Sequence, residues 1–140
     1  MKKGEIYEGI IEKVDFPNKG YVCIDDQKVL IKNGIPGQKV RFMIQKKRSG
    51  RAQGRILEVM EKSPLETREP VCSNFPACGG CMYQTMSYEE QLKMKAGQVK
   101  EILKYYHQTG QYETVKTWYD GYHFGDVDIY CPWDVICFCE

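Results

Sequence analysis

Apolar and polar positions over residues 1–62 alternate in short runs separated by turn-forming residues. Ile6, Ile10 and Val14 share one parity with Glu8 and Glu12, and Tyr7 and Ile11 fall on the other face. Pro17-Asn18-Lys19-Gly20 reads as a turn. Residues 21–24 and 28–31 read as strands flanking Asp25-Asp26-Gln27, and Asn33-Gly34-Ile35-Pro36-Gly37 breaks the chain again. Val40, Phe42 and Ile44 then alternate with Arg41, Met43 and Gln45, a period of two that predicts a strand. Arg48-Ser49-Gly50 turns the chain into a last strand over 52–59. Short, closely spaced strands ending in glycine turns predict a mainly β unit, a small barrel of five strands.

The pattern changes after residue 62. Residues 63–70 hold two prolines and few apolar side chains and read as a linker. A glycine- and cysteine-rich loop follows over 71–81. Ser87 with Glu90 three residues on is a capping box, and it opens one amphipathic helix. Tyr88, Leu92, Ala96, Val99, Leu103 and Tyr106 recur at spacings of three and four and form its apolar stripe. Glu89 and Lys93 make an i,i+4 pair, and Gly110 is the expected stop. Beyond it the chain is aromatic and rich in turn residues, and an irregular tail is expected.

Composition narrows the function classes. The 140 residues are 42% hydrophobic and 28% charged, which allows a globular chain. No run of 18 apolar residues occurs, so no spanning helix is predicted. No apolar stretch follows the charges of residues 1–5, so a cytoplasmic location is expected rather than secretion. Seven cysteines, an odd number, argue against a closed disulfide framework there. The net charge of +1 conceals a split: residues 1–62 carry 14 Lys and Arg against 8 Asp and Glu, a net +6, and the remainder is −5. The basic part is the candidate for meeting a polyanion.

Two groups of residues carry candidate chemistry. Lys39, Arg41, Lys46, Lys47, Arg48, Arg51 and Arg55 gather late in the basic unit, four of them at one predicted hairpin tip. Such a tip suits a phosphate backbone, and equally a solvated cationic edge that keeps a strand soluble. Cys72, Cys78 and Cys81 have the spacing C-x5-C-x2-C with Gly79-Gly80 inside the tight pair. Thiolates so placed are candidate ligands for zinc or an iron–sulfur cluster. A redox-active Cys78–Cys81 pair and inert thiols in a turn remain open as alternatives.

Glu5-Ile6-Tyr7-Glu8-Gly9-Ile10-Ile11-Glu12-Lys13, Gly34-Ile35-Pro36-Gly37-Gln38-Lys39-Val40 and Gly54-Arg55-Ile56-Leu57-Glu58-Val59 resemble a TRAM domain. That resemblance implies an OB-like barrel that delivers RNA to a modifying enzyme. Cys72-Ser73-Asn74-Phe75-Pro76-Ala77-Cys78-Gly79-Gly80-Cys81-Met82-Tyr83-Gln84, followed by Met86-Ser87-Tyr88-Glu89-Glu90-Gln91-Leu92-Lys93, is similar to the matching segment of bacterial RNA uracil-5-methyltransferases of the 23S rRNA and tRNA type. The two resemblances run in family order over residues 1 to about 98. They imply RNA (rRNA or tRNA) as partner, with neither DNA nor a membrane expected. They also imply a [4Fe-4S] cluster held by Cys72, Cys78 and Cys81, and S-adenosylmethionine as methyl donor in the full-length family. The family's fourth cluster cysteine, its S-adenosylmethionine domain, its nucleophile and its base match no segment here, so no catalytic residue carries over.

Residues from about 99 look different. Val115 to Gly125 and Asp128 to Val135 resemble a segment of a bacterial AAA-ATPase-like family with a nuclease-like domain, although no phosphate loop is present. The sequence thus divides into 1–62 (TRAM barrel), 63–70 (linker), 71–98 (cysteine loop and helix start) and 99–140 (tail), and reads as a truncated, chimeric chain. Two competing readings are a non-catalytic RNA-binding module with a structural metal and a fragment of an AAA-ATPase-like protein.

Overall fold

A computed structural model describes residues 1–48, 50–77, 81–119, 122–124 and 127–129. The chain divides into two units, residues 1–88 and 89–140.

The first unit is built on one six-stranded sheet. Its strands are β1 (Ile6–Ile10), β2 (Lys13–Asp15), β3 (Lys19–Ile24), β4 (Gln27–Lys32), β5 (Lys39–Arg48) and β6 (Arg51–Glu61). They run in the order β1-β5-β6-β4-β3-β2, with every pairing antiparallel except β4 with β6. Six strands replace the expected five because the first segment is two strands. Ile11 interrupts it: its amide donates to the Gln38 carbonyl, while the next amide, of Glu12, donates to Tyr21. The chain thereby leaves one neighbour for another and buries Ile11 completely.

The period of two over 40–44 is borne out, since Val40, Phe42 and Ile44 are fully buried. Ile11, Val14, Val22, Val29, Ile31 and Ala52 complete this core, with Tyr7 packed against it. The parity of β1 runs against hydrophobicity. Ile6 and Ile10 are 56% and 57% exposed, and the core side is taken by Tyr7, whose ring stacks on Phe42. Gly54 marks the tightest point of the core. A Cβ there would lie 2.7 Å from Phe42 and 2.8 Å from Ile31. The β3–β4 turn is Asp25-Asp26, both at positive φ (47° and 60°), the two-residue geometry that suits the strand twist.

The second unit carries α1 (Tyr88–Tyr105), a single 3₁₀ turn (Thr109–Gln111), α2 (Tyr112–Tyr119) and a hairpin of β7 (Tyr122–Phe124) with β8 (Val127–Ile129). The helix α1 begins directly after Ser87, as the capping box predicts. It stops before Gly110. His107 adopts φ +58°, its amide donates to the Lys104 carbonyl, and the Gln108 amide reaches back to Leu103 at 2.7 Å. That is a Schellman ending with histidine in the left-handed position usually held by glycine. Lys93 pairs with Glu90 at 2.6 Å, one position from the expected Glu89.

The expected irregular tail is regular as far as it is described. Tyr112 and Val115 lie three apart on α2 and close over Val99 and Leu103, and Val115 is fully buried. The side chain of Trp118, and Trp133 altogether, fall outside the described residues. Among the described residues no helix is long and apolar enough to cross a membrane.

Candidate functional site

The predicted cationic tip is a hairpin. Strands β5 and β6 pair down to Arg48 opposite Arg51, with Lys47 opposite Ala52 and Lys46 opposite Gln53. Gly50, at φ +76°, makes part of the turn. The seven cations expected to act together are in different electrostatic states. Arg41 sits between two carboxylates, Glu8 at 3.1 Å and Glu58 at 3.0 Å. Lys39 meets Glu61 at 2.9 Å, and this bonded carboxylate raises the lysine pKa above its ordinary value. Both are therefore largely neutralised on the outer face of the sheet. Lys47 donates to the Met1 carbonyl, a neutral acceptor, at 3.2 Å. Lys46, Arg51 and Arg55 have no carboxylate partner among the described residues. Arg48 lies on the strand with its side chain outside the description. Of these candidate cations, those left without a carboxylate are at the tip and at Arg55.

The cysteine loop is held against the barrel by side chains that carry no charge pattern. Gln84 Oε1 accepts the amides of Val71 and Cys72, both at 3.1 Å, and closes the neck of the loop. The Phe75 amide donates to the Cys72 carbonyl and that of Gln84 to the Cys81 carbonyl. Tyr83 donates its hydroxyl to Asn18 Oδ1 in the β2–β3 turn. Burial pushes the Tyr83 phenol above its ordinary pKa of 10.0.

Residues 63–70, expected as a linker, run along the barrel through one carboxylate. Glu66 Oε1 accepts the Ser63 amide and Gln38 Nε2, each at 2.8 Å, and Glu66 Oε2 accepts the Thr85 hydroxyl at 2.9 Å. Gln38, Ser63 and Thr85 are all buried. Gln38 in turn accepts the Ile35 amide, and Ser63 donates to the Pro36 carbonyl. Gly37, at φ +87°, shapes this turn. A Cβ there would stand 3.0 Å from Ser63 Oγ. The motif from Gly34 to Val40 is thus the socket in which the next segment docks. The sequence signal for Glu66 was Ser63-x-x-Glu66, a capping-box spacing used here without a helix.

Between the loop and the barrel lies an open cleft of about 880 Å³. It opens where the parallel pairing of β4 with β6 ends, after Ile31 and Gly54. Lys32, Asn33, Gln53 and Arg55 of the barrel and Cys72, Phe75 and Cys81 of the loop are among its lining residues. Both of these cysteines are exposed free thiols, as is Cys23. Cys78 lies outside the described residues, and among those described no group of three or more His, Cys, Asp or Glu could hold a metal ion. Thiol sulfur is a soft donor, of the kind that zinc and iron–sulfur clusters take as thiolate.

No family model matches the chain. Over 104 residues it is 43% identical to an uncharacterized RNA methyltransferase of Caldanaerobacter subterraneus, a match covering 74% of this chain and 23% of the relative. An uncharacterized RNA methyltransferase of Clostridium tetani is 42% identical over 104 residues, with the same coverage. The chain therefore spans about 23% of the length of these curated relatives. Among solved structures, it is similar to the Pyrococcus abyssi tRNA (uracil-54, C5)-methyltransferase in complex with S-adenosyl-L-homocysteine. That match has 23% identity and a TM-score of 0.42, and covers 69% of this chain and 21% of that one. A conserved Methanococcus maripaludis protein solved in solution gives 21% identity and a TM-score of 0.40 over 41% of this chain and 83% of that one. The similarities lend no support to the AAA-ATPase-like reading of the tail or to a fusion. The proteins that the N-terminal 74% of the chain resembles are RNA methyltransferases.

Proposed function

We propose that this chain is the RNA-recruiting N-terminal part of an RNA uracil-5-methyltransferase of the 23S rRNA type. The TRAM-like barrel presents the β5–β6 tip to the phosphates of rRNA or tRNA. The methyl donor of the complete enzyme is S-adenosylmethionine. The observation that carries this reading is the separation of charge. Lys39 and Arg41 are paired with carboxylates, while Lys46, Lys47, Arg51 and Arg55 keep their charge for an external anion. Identity to RNA methyltransferases over the same residues supports RNA as that anion.

Cys72, Cys78 and Cys81 would hold a [4Fe-4S] cluster in the loop. When bound, such a group cross-links the loop through metal–thiolate bonds, so that loop folding and metal binding become one equilibrium. Three thiolates leave one iron to be ligated from elsewhere. The protein's own part is to preset the loop: Gln84 gathers its neck and Tyr83 pins it to Asn18.

The test is a filter-binding titration of RNA against salt. Replacing Lys46, Lys47, Arg48 and Arg51 with Ala should flatten the log–log salt slope by up to about 3, since each phosphate contact contributes about 0.7–0.9. Replacing Lys39 and Arg41 should change it far less. An unchanged slope in the tip variant removes the hairpin from the RNA site.

A further inference from the structure

We propose that the cleft between β6 and the cysteine loop seats one unpaired nucleotide of the RNA, with its base on Phe75 and its phosphate on Arg55 and Lys32. This rests on the reading of the barrel as an RNA-recruiting unit and adds a second contact, distinct in kind from the hairpin tip. The volume, about 880 Å³, falls within the range of small-ligand clefts, roughly 300–1,000 Å³.

The lining selects the ligand. Three carboxylates border the cleft, and each is already engaged. Glu58 is paired with Arg41, and Glu69 with Lys62 at 3.4 Å. Glu66 is bonded to Gln38, Ser63 and Thr85. Lys32 and Arg55 have no carboxylate partner among the described residues, so these two cations are open to a phosphate. Asn33 and Gln53 add amide groups that both donate and accept, as the edge of a nucleobase requires. Phe75, from the loop, is half-buried, lines the cleft, and its backbone amide donates a hydrogen bond to the Cys72 carbonyl.

Aromatic stacking, amide groups and a phosphate-binding cation in one open groove are the elements of single-strand recognition. A base inside a duplex cannot reach Phe75, because its faces are covered by its neighbours. The cleft therefore reads an unpaired nucleotide, while the tip reads phosphate in any RNA.

Fluorescence anisotropy on the full chain tests this with two labelled RNAs, an eight-nucleotide uridine-rich single strand and a fully paired hairpin. The unaltered protein should prefer the single strand. Phe75→Leu should weaken single-strand binding at least about 5-fold and leave hairpin affinity and salt slope unchanged. Phe75→Tyr should retain the preference. Arg55→Ala should lower the single-strand salt slope by about 0.7–0.9. If Phe75→Leu proves unstable in a melting measurement, Phe75→Tyr and Arg55→Ala, the latter at an exposed strand position, decide the matter. Equal binding of both RNAs, insensitive to Phe75 and Arg55 while the tip variant still flattens the slope, overturns the cleft and leaves the hairpin reading standing. Loss of neither slope nor affinity in any variant removes both.

Discussion

Glu66→Ala should undock the cysteine loop from the barrel. The Glu66 carboxylate accepts three hydrogen bonds at 2.8–2.9 Å, from the Ser63 amide, Gln38 Nε2 and the Thr85 hydroxyl. Its removal leaves three donors on residues that are 3–6% exposed. A buried donor without a partner costs about 1–3 kcal/mol. The Thr85 hydroxyl can rotate to another acceptor, and Gln38 borders the cleft, where water can reach it, so about one full loss (the Ser63 amide) and two partial ones remain. That amounts to about 2–3 kcal/mol. In a unit of residues 1–88 this lowers the melting midpoint by about 10 °C or more. Circular dichroism melting reads the midpoint, and hydrogen exchange reads where the loss falls. The Ile35 and Arg68 amides, which donate to Gln38 and Thr85, should lose protection together. Glu66→Gln keeps an acceptor and the shape and should cost about half as much. A midpoint unchanged within about 2 °C, with protection retained at Ile35 and Arg68, refutes the claim that this carboxylate holds the loop in place.

Three further outcomes follow from particular residues. Gly54→Ala must push a methyl against Phe42 and Ile31, both fully buried, and should cost about 1–3 kcal/mol in urea unfolding; an unchanged midpoint would show that the core yields there. Tyr7→Phe should raise the Glu5 pKa observed by carboxyl NMR, because the Tyr7 hydroxyl bond is the main cause holding Glu5 below its ordinary 4.5. The sign is that of a depressed acid: the stabilisation is present above the unfolded pKa and fades as pH falls through the folded one, so Tyr7→Phe should show less loss of stability on acidification. Anaerobic reconstitution with iron and sulfide should load the unaltered chain more fully than Cys78→Ser, read by metal analysis and absorption; equal content in both would remove the cysteines from metal binding.

The core of the barrel was legible where polarity and burial agree. Val40, Phe42 and Ile44 alternate with polar neighbours, and all three are buried, because a strand in mid-sheet has one dry face. Legibility failed in β1, where both parities hold apolar residues. Ile6 and Ile10 are the more hydrophobic set, but Tyr7 stacks on Phe42 and Ile11 fills the centre, so packing across the sheet decided the register that local hydrophobicity left open. The second helix was hidden for a related reason. Tyr112 and Val115 supply too short a stripe to be read alone, and they become meaningful only once Val99 and Leu103 are there to be covered.

The candidate site shows the same division between composition and pairing. Counting cations placed Lys39 and Arg41 with Lys46 and Arg51, since a charge tally cannot see across strands. Pairing brings Glu8 and Glu58 to either side of Arg41, from positions 33 and 17 residues away in sequence. An ion pair of this kind contributes little stability at an exposed surface, but it changes what the arginine has left to offer. A phosphate approaching Arg41 must compete with two carboxylates already in place; one approaching Arg55 or Arg51 meets no such competitor among the described residues. The anion-binding surface is thus defined by where the sheet puts its acids. Those acids lie along β1 and the distal half of β6, and their absence beside the β5–β6 turn is what leaves the tip cations open to an external anion.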